Sequence, residues 1–210
     1  SAQSLAMMLQ GGALPIDLTI VEKQTTGPQL GADSIDKSIK AAVIGIVALA
    51  IFMIVIYRVP GVIATFALLL YALLVIGANV AIKATITLPV IAAFLLSVGM
   101  AVDANVIIFE RIKEELRACK TLRVAIEAGF KKAFATIFDS NITTLLAAVI
   151  LIAFGTGAVR GFAITLTIGI LASMVTAITF TRFMLTTLVS SNLVRNPKLY
   201  GLKGGICDED

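Results

Sequence analysis

The chain of 210 residues contains no histidine and no tryptophan, and only two cysteines. Without histidine, the commonest general base and the commonest metal ligand are both missing. Cys119 and Cys207 lie far apart with no CxxC partner, which suggests neither a zinc site nor a disulfide framework. No GxxxxGK[ST] phosphate loop occurs, so no site for ATP hydrolysis is expected, and no cofactor or metal is implied. Charge is scarce as well. Asp, Glu, Lys and Arg make up 14% of residues, against about 25% in an ordinary soluble domain. What the chain has instead is apolar surface: 59% of its residues are hydrophobic, and they come in long unbroken runs. Alternation of the kind a β-barrel needs is absent. These features exclude a disordered chain, a nucleic-acid-binding tail and a typical cytosolic enzyme. They point to an all-α polytopic membrane protein.

Five segments have the length of a membrane span, about 20 mostly apolar residues. They are expected at about 39–57, 62–81, 87–109, 137–154 and 161–189, within a transmembrane domain of 36–190. The segment between the third and fourth holds Arg111, Lys113, Arg117, Lys120, Arg123, Lys131 and Lys132. The short turns on the opposite side hold only Lys83 and Arg160. The excess of basic residues assigns the 110–135 loop to the cytoplasm, together with the tail 191–210. Five crossings then leave the N-terminal segment outside. The net charge of +4 reflects this bias and gives no reason to expect a nucleic-acid partner.

Residues 1–35 read as the end of an extracytoplasmic domain and its linker. A short helix at Ala2–Gln10 stops at Gly11-Gly12, and Ile16, Leu18 and Ile20 alternate as in a half-buried strand. One helix and one strand cannot bury a core alone, so they are expected to be a remnant of something larger. The loop 110–135 reads as two short amphipathic helices. Ile112, Leu116, Leu122, Ile126 and Phe130 can share a face, and Arg111/Glu115 has the spacing of an opposite-charge pair. Two readings stay open for it: a helix anchored on the bilayer surface, or a cytoplasmic coupling or docking element.

Ionisable groups inside spans are costly, which makes each one a functional hypothesis. Asp103 is the clearest, six residues before Phe109 and so roughly 9 Å along the helix from that end. Its short side chain cannot reach the interface. A carboxyl at that depth suits the loading and release of a proton as its surroundings turn wet or dry. The alternative is a neutral Asp that serves as an interhelical hydrogen-bond donor. Gly99, Ala101 and Ala104 flank it and are small enough for close helix packing. Candidates to support a relay are Asn105, Asp139, Asn141, Thr143, Thr144 and Arg182. Each has a plainer reading. Asp139 suits a helix N-terminus, the threonines can bond back to helix carbonyls, and Arg182 can snorkel to the interface. Its sharper role would be pairing with Asp103 or Asp139. Asn79, Ser97 and Ser173 read as packing contacts, with Gly169 and Ser173 forming a small-residue face.

The run from Gly99 to Ile112, Gly-Met-Ala-Val-Asp-Ala-Asn-Val-Ile-Ile-Phe-Glu-Arg-Ile, resembles the signature of the SecD/SecF protein-export family of the RND superfamily. So do Gly12-Ala13-Leu14-Pro15, Tyr57-Arg58-Val59-Pro60-Gly61, the stretch Ala125–Phe134, Asn141-Ile142-Thr143-Thr144 and Arg160-Gly161-Phe162-Ala163, in that order. The resemblance covers about residues 9–190. It implies spans two to six of a six-span subunit of the cytoplasmic (inner) membrane, with Asp103 as the proton-relay position. It also implies a SecF-like membrane partner, association with a SecY-containing translocon, and contact with the translocating polypeptide through an extracytoplasmic domain. The implied function is export assisted by the proton-motive force. Half of an RND exporter for small molecules or lipids is the alternative within the superfamily, and a non-transporting translocon scaffold is the alternative outside transport. An enzyme is not expected.

Overall fold

The computed structural model describes residues 28–190. The expected helix–strand remnant before residue 28 and the tail after residue 190 lie outside these residues. The description concerns the compact unit that begins at Ser34. Its elements are α1 (Pro28–Tyr57), α2 (Val59–Ala81), α3 (Leu88–Arg117), α4 (Leu122–Phe154), α5 (Gly157–Val175), a π-helical turn (Thr176–Phe180) and α6 (Thr181–Ser190). No strand occurs among the described residues. Among the described residues five helices are long and apolar enough to cross a membrane, the last formed by α5, the π turn and α6 up to Val189. Each expected span falls inside one of these helices except for Thr87, which stands just before α3.

Sequence sets the helix ends. Pro60 stands in the first turn of α2 and Pro89 in that of α3, where a missing N–H costs nothing. Between α1 and α2 the chain reverses at Arg58, whose φ of 52° lies in the left-handed region. Gly61 completes this elbow. A Cβ there would stand 2.1 Å from the Met53 carbonyl oxygen, so only glycine allows the two helices to meet so closely.

The outer surface carries exposed Ile, Leu, Val and Phe on every long helix, as hydrocarbon contact requires. The interior is small and close-packed: Ala67, Ala93, Ala125, Ala133, Ala148 and Ala163 are all 1% exposed or less. Polar clasps reinforce it. Tyr71 of α2 donates to Ser97 Oγ of α3 at 2.6 Å, and Ser97 donates to the Phe94 carbonyl at 2.8 Å. Thr165 of α5 donates to Asn79 Oδ1 of α2 at 2.9 Å, while Asn79 Nδ2 bonds the Val75 carbonyl. Ser173 bonds back to the Ile170 carbonyl. Gly169 of α5 lies against the Tyr71–Ser97 pair, and a Cβ there would stand 2.5 Å from Ser97 Cβ. Asn79, Ser97, Ser173 and Gly169 thus act in packing, as their residue types suggested.

The 110–135 region corrects one expectation. It is not a pair of separate surface helices, because α3 runs unbroken to Arg117 and α4 starts at Leu122. Thirty residues rise about 45 Å and the hydrocarbon layer is about 30 Å thick, so both helices extend well past the apolar layer as a hairpin. Its shared apolar face is turned inward: Ile112, Leu116, Ile126 and Phe130 are each 6% exposed or less. That face packs α3 against α4 and is closed to a bilayer surface. Gly129 permits the contact, since its Cβ would stand 2.9 Å from the Ile112 backbone nitrogen. Glu115, 3% exposed, accepts bonds from Lys120 in the hairpin turn and from Lys132 of α4, the latter at 2.5 Å. The expected Arg111/Glu115 pair does not form, because Arg111 binds Glu114 instead, at 2.7 Å. Cys119, in the turn, is disulfide-bonded.

Gly169→Ala should destabilise the bundle by about 1–3 kcal/mol through overpacking. Gly77→Ala, with nothing within 4 Å of its Cβ position, should leave stability unchanged or raise it. Thermal unfolding of the two variants side by side in detergent is the check.

Candidate functional site

Asp103 lies near the middle of α3, and its side chain is exposed on the outer surface of the bundle. Its chain neighbours Val102 and Ala104 are buried, as is Ala101. The reason is helical geometry. Residues 92, 96, 99 and 103 fall on one stripe at i, i+4, i+7 and i+11, and Ala92, Leu96 and Gly99 are exposed like Asp103. Ala101 and Ala104 pack inside the bundle, whereas Gly99 packs against nothing in this chain: no atom lies within 4 Å of its Cβ position. The expectation that Gly99 mediates helix packing is therefore corrected for contacts within the chain. Its lack of a side chain instead leaves room next to Asp103 for something that is not part of this bundle.

Two residues further on, the opposite face of α3 meets the last helix. Asn105 is buried, and its Oδ1 accepts a 2.9 Å hydrogen bond from Thr181 Oγ1. Asn105 Nδ2 reaches its own helix at the Ala101 carbonyl, 3.3 Å away. Thr181 is completely buried and opens α6 directly after the π turn. Its backbone N–H bonds the Thr176 carbonyl across that turn. A π turn inserts one extra residue into the helical ladder, and such turns occur frequently at functional sites. Here it brings the Thr181 hydroxyl to Asn105. Thr181 and Thr176 were not foreseen as part of the site. The only hint was the threonine-rich run Thr176-Ala177-Ile178-Thr179-Phe180-Thr181.

None of the other candidates forms a hydrogen bond or ion pair with Asp103 among the described residues. Asp139 is exposed, and its carbonyl accepts from Thr143 Oγ1 at 3.0 Å. Thr144 Oγ1 bonds the Ser140 carbonyl at 3.3 Å. Both hydroxyls thus bond to their own helix and not to Asp103. Asn141 is buried on α4, 8% exposed. Arg182 is exposed on α6 and forms no ion pair with Asp103 or Asp139. Its pairing with either aspartate is corrected accordingly. Its side chain lines a cavity at the hairpin end of the bundle.

The root of the hairpin is fixed to the α1–α2 elbow. The Tyr57 and Phe109 rings lie 5.4 Å apart at a tilt of 51°. Lys113 Nζ sits 4.3 Å from the Tyr57 ring centroid and 2.9 Å from Glu110. The residues on either side of the Asp103 segment are therefore anchored: Ser97 to α2, Asn105 to α6 and Phe109 to the elbow.

A family model described as protein export membrane protein SecD/SecF, C-terminal, matches residues 10–191. The protein translocase subunit SecD of Acidaminococcus fermentans is 50% identical over 202 residues, covering 96% of this chain and 48% of the relative. That of Synechocystis sp. is 48% identical over 202 residues, covering 95% and 43%. The chain thus spans about half the length of these curated relatives or less. In structure it is similar to SecDF, a translocon-associated membrane protein from Thermus thermophilus, with a TM-score of 0.80 and 43% identity over 92% of this chain and 27% of that one. A SecDF structure in a super-membrane-facing form gives 0.76 and 42%, over 93% and 27%.

The Asn105–Thr181 bond should be measurable as a coupling energy. In a double-mutant cycle of Asn105→Ala and Thr181→Val, unfolding in detergent should give a coupling of about 0.6 kcal/mol and at most about 1.7. Strict additivity would mean that the bond contributes nothing to holding α3 against α6.

Proposed function

The chain belongs to the SecD/SecF family of protein-export membrane proteins, and we propose that it forms the membrane domain of a translocase subunit that couples proton entry to polypeptide export, with Asp103 as the group that takes up and releases the proton. The observation that carries this reading is the exposure of a mid-span carboxyl on the outer face of α3. A charged carboxylate facing hydrocarbon costs at least about 2.5–3.5 kcal/mol. The stripe of Ala92, Leu96, Gly99 and Asp103 therefore belongs against another surface or a file of water. A SecF-like membrane half is the partner we assign to it, with the space beside Gly99 giving access to the carboxyl. Asn105 and Thr181 do not carry protons in this scheme. They hold α3 in register with α6 while Asp103 changes charge.

A proton moving across 100 mV supplies about 2.3 kcal/mol. That energy biases a conformational equilibrium only if the two states differ in their affinity for the proton at Asp103. The reading places the hairpin and tail in the cytoplasm and the N-terminal segment outside, in the cytoplasmic membrane. The larger assembly it serves is a SecY-containing translocon carrying a polypeptide, contacted by parts of the subunit beyond this chain.

Asp103→Asn in the full-length subunit keeps the size of the side chain and removes its titration. Export in membrane vesicles should lose its dependence on the proton-motive force, so that an uncoupler no longer slows it. Asp103→Glu should retain part of that dependence. If Asp103→Asn vesicles still respond to the uncoupler as wild type does, Asp103 is not the relay and the scaffold alternative is favoured.

A further inference from the structure

At the hairpin end of the bundle, α3, α4 and the last helix line a half-open cavity of about 310 Å³. Ile108, Phe130, Ile137 and Ile178 form its apolar wall. Lys131 and Arg182 line it as well, from α4 and α6 respectively, and Glu127 lies one turn before Lys131. Neither cation has an ion-pair partner among the described residues. Four basic residues of the hairpin, Arg111, Lys113, Lys120 and Lys132, do pair with carboxylates, whereas Arg117 and Arg123 are in no ion pair among the described residues.

We propose that this cavity binds an anionic phospholipid, with its phosphate between Lys131 and Arg182 and the start of an acyl chain against Phe130, Ile137 and Ile178. The depth fits. Lys131 lies six residues before Ile137, where the apolar run of α4 begins, so it stands about 9 Å outside that point along the helix. That is the level of the lipid headgroups, given a hydrocarbon layer of about 30 Å within a bilayer of about 40–45 Å. Arg182 sits deeper on its helix and reaches the same level by extending its side chain toward the interface. The charge fits too. Two cations and one carboxylate leave a single positive charge, which complements the single negative charge of a phosphodiester. Basic pockets between membrane helices recognise anionic headgroups in this way. Phe134, which also lines the cavity, stacks on Phe138 with centroids 5.9 Å apart, and both rings are exposed. Ile108, which lines the cavity, is buried, whereas Asp103 is exposed and does not line it.

The test uses the full-length subunit with its membrane partner, reconstituted in phosphatidylcholine vesicles that contain a trace of spin-labelled phosphatidylglycerol or spin-labelled phosphatidylcholine. The fraction of each label held immobile at the protein reports lipid selectivity. Wild type should prefer phosphatidylglycerol, and Lys131→Gln and Arg182→Gln should each reduce the preference about fivefold at the site. Glu127→Gln should increase it, a gain that misfolding would not produce. Unchanged selectivity in both cation variants would overturn the proposal. So would normal lipid selectivity combined with loss of the partner on purification, because the cations would then be meeting a protein carboxylate.

Discussion

A carboxyl in the middle of a membrane helix has to be shielded from lipid, and Asp103 is not shielded by its own bundle. Its helix is nevertheless the most firmly held element of the fold. Ser97 ties α3 to α2 through Tyr71, Asn105 ties it to α6 through Thr181, and Phe109 meets Tyr57 at the α1–α2 elbow. Fixing the helix while exposing the carboxyl is what a site shared with another subunit requires. In the proposed function the bundle supplies position, and a second surface would supply solvation.

The same helix links the membrane to the hairpin. α3 has no break between Leu88 and Arg117, so the segment with Asp103 is one continuous helix with Ile112 and Leu116, which lie in the buried core. The α4 contact is close, since Gly129 allows backbone-level approach, and Glu115 bridges it with two lysines. By contrast, the last helix contains its own irregularity at the π turn, one residue from the buried Thr181. A π turn interrupts the regular hydrogen-bond ladder, and such turns occur frequently at functional sites. This one lies next to the Asn105–Thr181 contact, so the irregularity of the last helix sits where that helix meets α3.

The spans and the place of Asp103 within one of them were legible because their signals are local: run length, basic residues in loops and an ionisable group in an apolar stretch. Continuity of the hairpin was not legible, because a charged segment in continuous helix looks the same as a charged loop helix. The inward face of Ile112, Leu116, Ile126 and Phe130 was visible, but its partner was not, since a periodic apolar face fits a bilayer surface and a neighbouring helix equally well. Thr181 and the π turn left no pattern beyond a threonine-rich run. The direction in which Asp103 points depends on which stripe of α3 the other four spans cover. That is a property of the assembled bundle, and Gly99 beside it looks like any other small packing residue until the structure shows open space there.

The central claim is that Asp103 itself changes protonation in the assembled complex. Infrared difference spectroscopy of the reconstituted full-length complex, taken between acid and neutral buffer, reads the carboxylic acid C=O stretch directly. The account predicts a protonated-carboxyl band that appears on acidification in wild type and is missing from Asp103→Asn. Identical difference spectra for the two proteins would contradict it.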